Sequence, residues 1–71
     1  MNIIDTLKAE AFHALNTCEA CIKRNDRDWA VCQFGRATGL LQALDKLIGE
    51  YAPTENLKQM KNRLMDELWK P

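Results

Sequence analysis

The chain has no long hydrophobic run. Its longest apolar stretch, Trp29-Ala30-Val31-Cys32, is four residues, against roughly 20 for a helix that spans a bilayer. The first turns carry Asp5 and Glu10 where a secretion signal would have a basic end and an apolar middle. A cytoplasmic protein is therefore expected, without membrane contact. Net charge is also absent: ten Lys and Arg offset ten Asp and Glu, so no overall field draws the chain to nucleic acid or to an anionic membrane. Histidine occurs once, as His13, and glycine and proline occur only three times and twice, so the chain has few breaks and little acid-base chemistry.

With 71 residues the chain makes one domain, residues 1–71, and a domain of that size buries only about 60% of the surface its unfolded form exposes. Ordering entropy of roughly 1.5 kcal/mol per residue nearly cancels burial at about 25 cal/mol per Å² in such a scaffold, so outside support is expected. The three cysteines, Cys18, Cys21 and Cys32, are an odd set without a secretion signal, which favours free thiols over a disulfide framework. Support should then come from assembly or from a metal.

Punctuation falls at Arg24-Asn25-Asp26-Arg27-Asp28 and at Tyr51-Ala52-Pro53-Thr54. The two breaks give three predicted helices, over about residues 2–23, 27–51 and 55–69. Asn2 with Asp5, and Asn25 with Asp28, are placed to cap the first two, and Thr54 opens the third. Apolar residues in the first segment recur at Ile4, Leu7, Ala11, Ala14 or Leu15, Cys18, and Cys21 or Ile22, the spacing of one buried helical stripe. The second keeps that rhythm through Ala30, Phe34, Ala37, Leu41, Leu44, Ile48 and Tyr51, widened by Leu40 and Leu47. The third shows Leu57, Met60, Leu64 and Leu68, flanked by Met65 and Trp69.

The brief connection near residue 25 predicts an antiparallel helical hairpin. Facing residues sum to about 51 or 52, which sets Cys18 near Phe34, Ala14 near Ala37, Ala11 near Leu41, Leu7 near Leu44 and Ile4 near Ile48. Small residues meet near the turn, and bulky pairs splay the open end, where the third helix is expected to fill in. The fold class is all-α: an antiparallel hairpin plus a third, shorter helix in a three-helix bundle, with oligomerisation expected.

Opposite its large stripe the second helix carries a line of small residues, Cys32, Gly35, Gly39 and Ala43. An interior glycine costs about 1 kcal/mol relative to alanine, so another backbone is expected close to this line. Either the third helix or a neighbouring subunit could supply it. The leading expectation is an interface on these four residues, with Phe12, Trp29 and Trp69 as partner anchors; the aromatics could equally close the ends of the bundle.

Cys18, Cys21, Cys32 and His13 are the one candidate metal set, since zinc takes four Cys or His ligands. The CxxC lies inside a helical pattern instead of a tight turn, and His13 points about 80° away from Cys21 at 100° per residue. The cysteines therefore read as small buried apolar residues, with no metal and no cofactor expected. No nucleophile, base and orienter can be assembled around His13 alone, so an enzyme is not expected. Lys58, Lys61 and Arg63 could form a nucleic-acid contact surface on the third helix. Asp66 and Glu67 follow directly, and Glu55 to Lys58 and Asp66 to Lys70 are spaced for intrahelical ion pairs, so a solvated face is the expectation.

Residues 32–48, with Arg36 and Gly39 followed by Leu41, Ala43, Leu44 and Leu47, resemble a helix of short helical-hairpin proteins encoded by tailed bacteriophages. The resemblance covers about a quarter of the chain. It implies a small viral protein of host cytoplasm or virion, either a minor virion component or an inhibitor of a host or defence protein. It carries no catalytic or ligand residues. The expected function is a non-enzymatic protein-protein interaction module that binds itself, a protein partner, or both. The alternatives are a small nucleic-acid-binding regulator using helix three, and a zinc-stabilised module.

Overall fold

The computed structural model describes residues 3–48 and 54–70. They form three α-helices, α1 Ile3–Lys23, α2 Arg27–Ile48 and α3 Glu55–Leu68, and no strand among the described residues. The end of α1 at Lys23 and the start of α2 at Arg27 fall where the sequence predicts them. The proposed cap Asn2, the last residues expected in the second helix, 49–51, and the linker through Pro53 lie outside the described residues.

The α1–α2 turn is built differently from the expectation that Asn25 caps α2. Asn25 has φ 60°, a left-handed conformation that asparagine tolerates better than most residues, and it terminates α1 instead. Its amide donates to the Ile22 carbonyl at 3.1 Å, while the Asp26 amide donates to the Cys21 carbonyl at 2.9 Å. This pair of bonds is the Schellman closure of a helix C-terminus. Asp26 then opens α2: its Oδ1 accepts from the Trp29 amide at 3.3 Å, and its carbonyl receives the Ala30 amide at 3.1 Å. Two adjacent residues thus end one helix and cap the next, which is why the connection can be so short. Thr54 precedes α3 as expected, but its hydroxyl makes no capping bond; it is buried instead.

The hairpin closes on alanine. Ala11, Ala14, Ala30 and Ala37 are fully buried together with Cys18, Leu15 and Leu44, so the α1 and α2 backbones approach closely along their inner faces. Contact between these two helices is far more extensive than that of α3 with either. α3 lays Leu57, Leu64 and Leu68 onto one side of the hairpin. Its direction follows from its partners: Lys58 pairs with Asp45 and Trp69 packs on Phe34, so it runs antiparallel to α2, and Arg63 reaches Glu19, so it runs parallel to α1. α3 therefore spans the hairpin from open end to turn, beyond the open-end filling expected of it.

Leu40 widens the inner stripe as expected, partly buried against the core. Leu47 does not: it is 55% exposed, on the flank of α2 that faces away from α3.

The left-handed turn residue gives a direct stability test. Asn25→Val should cost about 1–2 kcal/mol, the left-handed penalty for a residue with a Cβ branch, and lower the melting temperature by at least about 4 °C. Asn25→Gly should be neutral or stabilising. Thermal unfolding followed by circular dichroism measures both, and equal melting temperatures for the two variants would refute the turn geometry.

Candidate functional site

The candidate residues are spread over different sides of the bundle. Cys18 and Cys21 are fully buried on α1, Cys32 is exposed on α2, and His13 is exposed on α1, where its carbonyl accepts from the Thr17 hydroxyl at 2.9 Å. The structure does not bring these four together. Among the described residues no three His, Cys, Asp or Glu side chains converge in a way that could hold a metal ion. Cys21 has a different partner: the Arg24 guanidinium donates to its Sγ at 3.2 Å, tying the last turn of α1 to its own core. Burial pushes the Cys18 thiol above its ordinary value, with the neighbouring Cys21 and Glu19 adding to the effect.

The three basic residues of α3 do not share a face. Lys58 meets Asp45 of α2 at 2.9 Å, and Arg63 meets Glu19 of α1 at 3.0 Å on the opposite flank. The Asp45 oxygen is shielded from solvent, and its contact with Lys58 has the geometry of an ion pair rather than of a directed hydrogen bond. These bridges run between helices, in place of the intrahelical pairs that the spacing of Glu55, Lys58, Asp66 and Lys70 suggests. They hold α3 on both its neighbours, and each pair is partly exposed, so each contributes at most about 1 kcal/mol. Only Lys61, partly buried, has neither role.

The α1–α3 seam near the turn is concave. Two adjoining hollows of about 170 and 230 Å³ share Ile22 and Glu67, with Leu64 and Leu68 beneath and Glu19 and Arg63 on the rim. Both fall below the roughly 300 Å³ of a ligand pocket, and two of the lining charges, Glu19 and Arg63, are paired with each other.

The small-residue line of α2 is open. Cys32, Gly35 and Gly39 are exposed and Ala43 is half-buried, and a Cβ built on either glycine would meet nothing within 4 Å. Helix three does not cover this line, contrary to one of the two expectations for it, because α3 sits on the flank of α2 that carries Phe34 and Asp45. Of the aromatic candidates, Phe12 and Trp29 stand half out of the surface. Trp69 is similarly exposed but is anchored edge-to-face on Phe34, with ring centroids 5.3 Å apart, so it closes the turn end of the bundle. Ile3 and Leu47, whose spacing gives no sign of a surface role, are 65% and 55% exposed, more than any aromatic among the described residues.

Among the described residues no helix is long and apolar enough to cross a membrane. The chain matches no family model, no curated protein and no solved structure.

The placement of the thiols predicts their reactivity. A thiol-specific disulfide reagent should modify Cys32 at once in the native protein, and Cys18 and Cys21 only at the rate of opening. The raised Cys18 value means that the folded state favours the neutral thiol, so its stabilising contribution is complete below the unfolded thiol pKa and declines as pH rises past about 9. Rapid native labelling of all three thiols would contradict this core.

Proposed function

We propose that the protein is a non-enzymatic helical interaction module that works by self-association through the outer side of α2 and by presenting apolar anchors to a protein partner. The observation that carries this reading is the open side of α2. α1 and α3 cover two sides of that helix, and the third shows bare backbone at Gly35 and Gly39 beside half-exposed Trp29 and Leu47. Two helix-interior glycines without a close neighbour in their own chain weaken the fold by about 1 kcal/mol each relative to alanine, and a neighbouring molecule gives that loss a use. A chain of this size also gains from assembly. Phe12 and Trp29 are the anchors free to meet a partner, with the exposed edge of Trp69 a third.

The nucleic-acid alternative is weakened by the ion pairs that occupy Lys58 and Arg63, and the zinc alternative by the separation of His13 and Cys32 from the buried cysteines. The likeness of residues 32–48 to helices of phage hairpin proteins supports a viral setting, as a minor virion component or an inhibitor of a host or defence protein.

Because a Cβ at Gly39 meets nothing within the chain, substitutions there separate folding from association. Gly39→Ala should raise stability by about 0.5–1 kcal/mol, read as a higher melting temperature. Gly39→Leu should leave the monomer folded and weaken self-association, measured by sedimentation velocity over a concentration series. A wild-type protein that sediments as a monomer up to millimolar concentration would overturn the self-association.

A further inference from the structure

The hairpin has a second groove, opposite the one α3 fills, and its composition identifies its occupant. Core positions on α2 fall at 30, 34, 37, 41 and 44, and one residue ahead of them runs a second series with the same four-three spacing: Trp29, Gln33, Arg36, Leu40, Ala43 and Leu47. At 100° per residue Trp29 and Leu47 point about 140° away from Phe34, which faces α3 through Trp69. α1 carries a matching series on its flank away from Glu19, the α3-facing residue: Ile3, Leu7, Glu10 and Thr17, with the fully buried Ala14 and Cys21 beneath them. The short turn puts residues whose numbers sum to about 50 at one level. The levels from open end to turn are then Ile3 with Leu47, Leu7 with Ala43, Glu10 with Leu40, Ala14 with Arg36, Thr17 with Gln33, and Cys21 with Trp29.

This face is apolar at both ends, where Ile3, Leu47 and Trp29 are at least half exposed. Its two central levels hold one acid and one base, and neither Glu10 nor Arg36 has an ion-pair partner among the described residues. The pattern complements itself. A two-fold axis running across the hairpin between those central levels exchanges them, bringing Glu10 of one copy level with Arg36 of the other, across the groove from it, twice. The same rotation sets Trp29 against the partner copy's Leu47 at each end. α2 then meets α2 in antiparallel register, the isologous arrangement of a two-fold dimer.

We infer that this face binds a second copy of the chain, forming a two-fold bundle of two hairpins locked by reciprocal Glu10–Arg36 pairs. The inference rests on the self-association proposed above and gives it a symmetry, with the contact centred on Trp29, Leu40 and Leu47 and sharing Ala43 with the small-residue line. The area is adequate: two helices about 30 Å long and about 10 Å wide each present about 600 Å² per copy, about 1,200 Å² in total, at the lower end of specific interfaces. The absence of net charge, ten acids against ten bases, leaves no long-range repulsion between copies.

The test is a charge-exchange mixture of full-length proteins followed by sedimentation velocity from micromolar to millimolar concentration. Glu10→Arg alone puts two bases on each level of the pair and Arg36→Glu alone puts two acids, so each variant should dimerise at least tenfold more weakly than wild type. An equimolar mixture of the two restores both pairs and should dimerise about as well as wild type, an outcome an intramolecular pair cannot produce. Leu47→Asp should abolish the dimer, and circular dichroism should show all three variants helical, since each site is at the surface. If wild type associates but the single variants associate equally well, or if the mixture gains nothing over its components, this face is overturned while self-association stands. A wild-type monomer throughout the range overturns both.

Discussion

Two helices in contact always form two grooves, one on each side of the line where they touch, and a chain with one further helix can fill only one of them. That constraint governs this structure. The alanines along the α1–α2 seam bring the helices close, and the closer they pack, the less a single helix can reach round to both sides. α3 takes the side carrying Phe34, Asp45 and Glu19, fixed there by Leu57, Leu64 and Leu68 and by an ion pair to each neighbour. The opposite groove keeps Trp29, Leu47 and Ile3 at the surface because nothing remains in the described chain to cover it.

The helices and the core were legible in the sequence because periodicity reports burial directly. The four-three rhythm through Ala30, Phe34, Ala37, Leu41 and Leu44 has one structural solution, and these residues are buried. What periodicity could not assign was the side chosen by α3. Leu47 follows the same spacing one residue out of step, so it reads with Leu40 as a wider core stripe, yet only Leu40 packs on the core. The turn was misread for a related reason. Asn25 and Asp26 are both good capping residues, and only the backbone, left-handed at Asn25, shows that the first closes α1 and the second opens α2. The ion pairs were misassigned because spacing along one helix cannot reveal a partner on another.

The charge distribution separates positioning from recognition. Lys58 and Arg63 look like a basic surface when α3 is considered alone, yet each is directed at an acid on a different helix, so they act within the chain to seat α3. Glu10 and Arg36 look unremarkable in the sequence, but neither has an ion-pair partner among the described residues. A surface pair of this kind adds little stability to one chain. In the proposed dimer its value lies in selection, since opposite charges at exchanged levels favour a two-fold partner in one register and disfavour slipped ones.

The exposed glycines and the exposed tryptophan are best understood together. A monomer selected only for its own stability would place alanine at Gly35 and Gly39, where space is open, and a polar residue at Trp29, half of which lies in water. Both choices run against local stability on the same helix, and the proposed self-association gives both a use: bare backbone permits close approach, and a large amphipathic ring supplies contact area at low entropic cost. Local departures from the most stable residue concentrate where a protein does something other than fold, and in this chain they concentrate on the outer side of α2.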